Sequence, residues 1–244
     1  GSGMIKAFQP SGSDRYLGFD NPLGKLRHNF KTQASVNLRL REAFQRDHWP
    51  VFSACARVLK PGGYFCAWGF GRTQHWVAYG AENAGLAVLD PLIRRVVRRR
   101  PKTSLVGERS AQLQQETETW DVARKPGEPT AAATVKRWGT GLMQAVSPDG
   151  SRYTNLFEGY ERSLKITGHP NEKDLNWMRL LVRIFSPPQS TVLDPYMGSG
   201  TTGEAARLEG RCFIGIDSDE KSFVMAKERL RLAHHLSAIG KKSG

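Results

Sequence analysis

The sequence is short of acid. Its 244 residues hold 23 Asp and Glu against 36 Lys and Arg, a formal net charge of +13. Such an excess disfavours cationic partners and draws polyanions, nucleic acid first among them. Cysteine is scarce: Cys55, Cys66 and Cys212 lie far apart and form no C-x-x-C, which excludes a disulfide framework and a zinc-type ligand set. Those thiols read as reduced and mostly buried, as in a cytoplasmic protein. No apolar run approaches a membrane span, so no membrane partner is expected, and neither a signal nor a transit peptide is visible. The opening Gly1-Ser2-Gly3 before Met4 reads as an appended remnant and is set aside. No internal repeat stands out. Hydrophobic residues make up 39%, enough for one large domain or one domain with a sizeable insertion.

What is present alternates. Residues 34–60 read as helix with a break at Pro50, and Val51, Phe52, Cys55, Val58 and Leu59 share one face. Lys60-Pro61-Gly62-Gly63 stops that helix. Tyr64–Trp68 is a nearly continuous apolar run, the pattern of a strand covered on both faces. A helix over 73–84 and a strand over 86–89 follow, so the class is α/β. From 92 to 165 the pattern fails: a cluster of Arg94, Arg95, Arg98, Arg99, Arg100 and Lys102 leads into a polar stretch without apolar periodicity. This segment reads as an inserted, irregular basic lobe outside the core. Alternation then resumes with a helix at 172–185, strands at 191–194 and 212–216, and a helix at 201–209. A last helix at 219–236 has Asp219 as N-cap and Phe223, Ala226, Leu230 and Ala233 on one face.

One loop carries the chemistry: Thr191-Val192-Leu193-Asp194-Pro195-Tyr196-Met197-Gly198-Ser199-Gly200-Thr201-Thr202-Gly203. Its glycines match the dinucleotide fingerprint, with Asp217 as the acid downstream. A dinucleotide fold, however, needs several βα units after that loop, and only 41 residues follow Gly203. The remaining strands must come from the N-terminal half, which disfavours NAD. Glycines at a helix N-terminus serve a carboxylate and a ribose as well as a pyrophosphate. A calcium loop starting at Asp217 is excluded, because Lys221 and Ser222 occupy its ligand and glycine positions. Ser186-Pro187-Pro188-Gln189 reads as a turn.

With those residues in view, "TVLDPYMGSGTTG" resembles the cofactor loop of the permuted, β-type DNA amino-methyltransferases. His169-Pro170-Asn171-Glu172-Lys173, Gly215-Ile216-Asp217, Leu59-Lys60-Pro61-Gly62-Gly63 and Gly71-Arg72-Thr73-Gln74-His75 resemble further blocks of that family, in its order. The resemblance implies a circularly permuted Rossmann-like methyltransferase sheet with helices on both faces. It also implies S-adenosylmethionine as cofactor, bound by Lys173, Asp194, Pro195, Tyr196, Gly198, Ser199, Gly200, Thr201, Thr202 and Asp217. The reaction implied is methyl transfer to an exocyclic amine of adenine or cytosine in double-stranded DNA, with no metal. Residues 34–91 and 166–244 would form the core, and 92–165 the target-recognition insertion. Arg94, Arg95, Arg98, Arg99, Arg100, Lys102, Lys136 and Arg137 are the expected DNA contacts.

The family's catalytic motif is (Asp/Asn/Ser)-Pro-Pro-(Tyr/Phe/Trp), which binds the amine and stacks on a flipped base. In register, Phe8-Gln9-Pro10-Ser11 stands in its place within the N-terminal segment 1–33, and only the second proline remains. An alternative therefore stands beside the enzyme: a catalytically impaired protein that binds S-adenosylmethionine and DNA, completed by a partner chain or a second copy as a homodimer. On either reading Met4–Phe8 is expected to fill the sheet between the 191–194 strand and the strand after Gly63, with 212–216 at an exposed edge.

Overall fold

The computed structural model describes residues 2–7, 30–69, 73–96, 116–158, 167 and 172–240. Eight strands form one sheet: β1 (Ser2–Ala7), β2 (Leu59–Gly69), β3 (Ala87–Val88), β4 (Leu92–Arg95), β5 (Thr117–Arg124), β6 (Leu156–Phe157), β7 (Thr191–Asp194) and β8 (Cys212–Gly215). Their order is β6-β4-β5-β2-β1-β7-β8, with β3 beside β5. The helices are α1 (Phe30–Val58), α2 (Gln74–Asn83), α3 (Ala131–Trp138), α4 (Leu175–Phe185), α5 (Thr201–Leu208) and α6 (Glu220–Gly240).

β1 occupies the expected slot, parallel to β2 on one side and to β7 on the other. The strand starts at Ser2, which pairs with Leu59 and Thr191, so Ser2 and Gly3, set aside with the remnant, belong to the sheet. The apolar run of β2 explains itself by alternation. Tyr64, Cys66 and Trp68 pack with α4 residues and Ala205 of α5 on one face. Phe65 and Ala67 pack with Phe52, Cys55 and Val77 of α1 and α2 on the other. Both faces are thus removed from water, as the sequence pattern requires. β8 lies at the edge among the described residues, with Ile214 54% exposed.

Three expectations need correction. The helix does not break at Pro50: α1 runs through it. Phe44 and His48 before the proline, and Phe52 and Cys55 after it, bury into the same core, and that burial outweighs one lost N–H. Second, 92–165 is not an irregular lobe outside the core. It supplies β4 and β5, and Trp120 and Val122 of β5 are buried in the α4-side cluster. Third, the buried face of α6 is Ser222, Ala226, Arg229 and Ala233, while Phe223 is 46% exposed. Asp219 does cap this helix, accepting from the Ser222 N–H at 2.9 Å.

Topology now locates the site. β1 leads through α1 to β2 in one direction along the sheet, and β7 leads through α5 to β8 in the other. α1 and α5 therefore cover opposite faces, and a crevice opens where the order reverses, outside the carboxyl ends of β1 and β7. Open α/β sheets bind ligands at such a point.

Candidate active site

Residues 195–200 leave β7 directly into that crevice. Asp194 is fully buried and turned inward: its carboxylate accepts from the Tyr196 N–H at 3.1 Å and the Thr202 hydroxyl at 2.6 Å. The acid therefore shapes the loop from beneath. Ser199, Thr201 and Thr202 are also buried, so the fold takes up their side chains. Gly200 has φ +76° and caps α5; a Cβ there would stand 2.9 Å from Ala226 Cα. Gly203 serves packing, since a Cβ would lie 2.6 Å from Leu230 and from Phe213. Asp217, half-buried at the end of the β8 segment, accepts from Gly198 N–H at 2.8 Å and Asp219 N–H at 2.9 Å. Each of its oxygens keeps a lone pair for a further donor.

The comparisons decide the lineage. A DNA methylase family profile for N6 and N4 methyltransferases matches residues 28–228. The chain belongs to this DNA methylase family. Over 176 residues it is 30% identical to the type II methyltransferase M2.LlaDCHI of Lactococcus lactis subsp. cremoris, covering 71% of this chain and 62% of that protein. It is 37% identical over 90 residues to the DNA adenine methyltransferase YhdJ of Escherichia coli K12, covering 37% of this chain and 29% of that one. The chain thus spans less than two thirds of the length of these curated relatives. Among solved structures, the M1.HpyAVI–SAM complex aligns with TM-score 0.61 at 25% identity, covering 94% of this chain and 88% of that one. The cytosine-N4-specific PvuII DNA methyltransferase, at 13% identity and TM-score 0.54, shares the fold.

The structure sorts the residues expected at the site. Pro195 to Thr202 and Asp217 come together around the crevice, joined by the bonds above. Lys173 stands at the carboxyl end of β2, its ammonium 3.4 Å from the ring centre of Trp68 and 5.5 Å from that of Trp120. The preceding Glu172, not singled out as a site residue, is buried and accepts from Thr167 N–H at 3.0 Å and Arg229 Nη1 at 2.8 Å. Arg229 Nη1 also donates to Thr201 Oγ1 at 2.9 Å, and its Nε pairs with Glu204. This arginine clamps the start of α5 to the segment before α4. The spacing 222-226-229-233 is its only sequence signal, and the charge at 229 masks it.

The expected DNA contacts divide. Arg94 is corrected to an interior residue, 2% exposed, 3.9 Å from Glu118, 3.8 Å from Asp174 and over the Trp177 ring. It is consumed by the core and offers phosphate nothing. Arg95 is exposed at the carboxyl end of β4, level with the crevice, and pairs with Glu158 at 3.2 Å. Lys136 and Arg137 lie on α3, whose end is tied to the opposite end of β2: Lys60 Nζ reaches Trp138 O, and Thr140 Oγ1 donates to Pro61 O at 2.5 Å. They face away from the mouth, and Arg137 is paired with Glu128 at 2.9 Å. Phe8, Gln9, Pro10, Ser11, Arg98, Arg99, Arg100 and Lys102 lie outside the described residues.

Two titratable groups in the interior are perturbed. Burial lowers His48 from 6.5 to about 4, with Asp47 opposing weakly. Burial raises Asp121 from 3.8 to about 6, against one stabilising bond from Gln74 Nε2 at 3.0 Å. Neither stands out in the sequence.

Proposed function

We propose that this chain transfers a methyl group from S-adenosylmethionine to an exocyclic amino group of adenine or cytosine in double-stranded DNA. The carrying observation is the glycine loop at the switch point, with Asp217 bonded to Gly198 and holding spare lone pairs beside it. When bound, the cofactor supplies an electrophilic methyl on a sulfonium. The N-terminal end of α5 suits its carboxylate, because the helix dipole favours negative charge there. Asp217 suits its ribose hydroxyls. The remaining requirement is alignment of amine and methyl, which positioning supplies. The connection between β4 and β5 leaves and rejoins the sheet at the mouth end, and with Arg98, Arg99, Arg100 and Lys102 in it, this connection is assigned to phosphate contact and target recognition. The names of the relatives, type II and adenine methyltransferases among them, agree with this reading.

Calorimetry should show binding of S-adenosylmethionine and none of NAD, with Asp217→Ala weaker by about 1–3 kcal/mol. Tritiated-methyl transfer to mixed-sequence duplex should follow. Binding of NAD alone would overturn the reading. Binding of S-adenosylmethionine without transfer would favour the binding-only alternative, and Phe8→Asp, Gln9→Pro, Ser11→Tyr together should then raise transfer.

A further inference from the structure

Tyr196 follows Pro195 in the loop, and its phenol oxygen lies 2.7 Å from Nδ1 of His48, 148 residues earlier in the chain. The two rings meet edge to face at 5.6 Å, and Phe44 closes the other side of the imidazole at 4.8 Å. Phe44 in turn packs on Trp76 of α2 at 5.8 Å. The imidazole is 4% exposed. Phe44, His48 and Phe52 stand at i, i+4 and i+8 on α1, so the helix presents the histidine from its core face. A phenylalanine at 196 would fill the same space. The hydroxyl adds the bond to His48.

The bonds of Asp194 and Asp217 to the loop run within residues 194–219, between neighbours in β7, β8 and the turns after them, and Arg229 of α6 holds Thr201. The His48 contact instead ties the loop to a helix that covers the opposite face of the sheet from α5. We propose that His48 and Tyr196 form a positioning pair, which holds the loop in the shape that binds S-adenosylmethionine. The inference rests on the cofactor reading above. Its physical basis is population. A loop with glycines at 198 and 200 has other shapes available, and affinity falls with the fraction of molecules in the competent one. A tether at Tyr196, two residues before Gly198, raises that fraction without touching the transferred methyl. Burial keeps both partners neutral at working pH, lowering the imidazole and raising the phenol, so the bond persists there.

The expected signature is a split in kinetics. Tyr196→Phe and His48→Leu should each raise the calorimetric Kd and the KM for S-adenosylmethionine about fivefold, the size of one net hydrogen bond, with kcat unchanged. His48→Asn places an amide near the position of Nδ1 and should recover most of the affinity. The double variant Tyr196→Phe/His48→Leu should bind no worse than His48→Leu, since both remove one bond. Unaltered Kd in folded variants, whatever their Tm, would overturn the inference, as would a fall in kcat at constant KM. A wild type that ignores S-adenosylmethionine removes the cofactor reading and this inference with it. A wild type that binds, beside variants that bind equally, removes the inference alone.

Discussion

His48 and Asp121 show how single residues set the acid response of the fold. His48 is held near 4 in the folded chain against an ordinary 6.5, so the native state resists its protonation. Its contribution is present above pH 6.5 and is lost as pH falls toward 4. Asp121 runs the other way. Its folded value of about 6 exceeds the ordinary 3.8, because the carboxylate is 5% exposed and its Oδ2 has no hydrogen-bond partner. The native state favours the protonated acid, so its contribution is present below pH 3.8 and is lost as pH rises toward 6. Asp121→Asn should therefore gain stability over the wild type between pH 4 and pH 7. The gain should reach about 2–3 kcal/mol, because holding a carboxylate ionised against a raised pKa costs about 1.4 kcal/mol per pH unit. His48→Asn should lose the opposing slope and be less sensitive to acid. Urea unfolding at a series of pH values reads both, and parallel curves for Asp121→Asn and wild type would contradict the assignment.

At the scale of elements, Arg229 joins three of them. It lies on the buried face of α6, pairs with Glu204 of α5 and with Glu172 ahead of α4, and donates to Thr201. The Glu172 side chain is 2% exposed, so without the arginine a buried charge would lose its partner on α6. Removing one partner of such a pair is strongly destabilising, whereas the intact pair adds little over an apolar isostere. Arg229→Ala should lower stability by about 3–5 kcal/mol. Adding Glu172→Gln should return part of that loss, because the stranded charge is then gone. Thermal or urea unfolding of the single and double variants tests both, and additive losses would argue against a shared charge.

Across the whole molecule the question is where the net charge of +13 acts. Exposed Arg95 is at the mouth end of the sheet, and Lys136 and Arg137 are at the opposite end. On the proposed function, DNA laid across the crevice would meet Arg95 and the connection that follows it. Replacing Arg98, Arg99 and Arg100 by alanine should reduce the slope of log K against log salt by about 2–3, near 0.9 for each phosphate that is no longer neutralised. Lys136→Ala/Arg137→Ala should leave it unchanged. Fluorescence anisotropy with duplex DNA at several salt concentrations measures the slope. A slope reduced by the α3 pair and not by the triple would place DNA at the foot of the sheet.

The α/β class and the glycine loop were legible in local pattern, an apolar run for β2 and a fixed glycine spacing, whereas the slot of β1 came from the sheet order that the family resemblance implies. Asp219 as a cap was equally local. What the sequence did not disclose is charge taken inside. The stretch around β5 reads as polar because Glu118 and Asp121 interrupt it, yet Trp120 and Val122 between and beside them are core. Arg94 likewise looks like surface and is buried between Glu118 and Asp174. Pattern reading assigns charge to solvent, because one buried charge is costly; pairing offsets that cost, and the partners come from β5 and the start of α4, far along the chain. The same holds for Arg229 among Glu172, Glu204 and Thr201, and for His48 against Tyr196. Local pattern marked the elements with unbroken apolar periodicity, whereas β4, β5 and the charges buried with them depended on tertiary contacts, because only the folded chain brings each buried charge its partner.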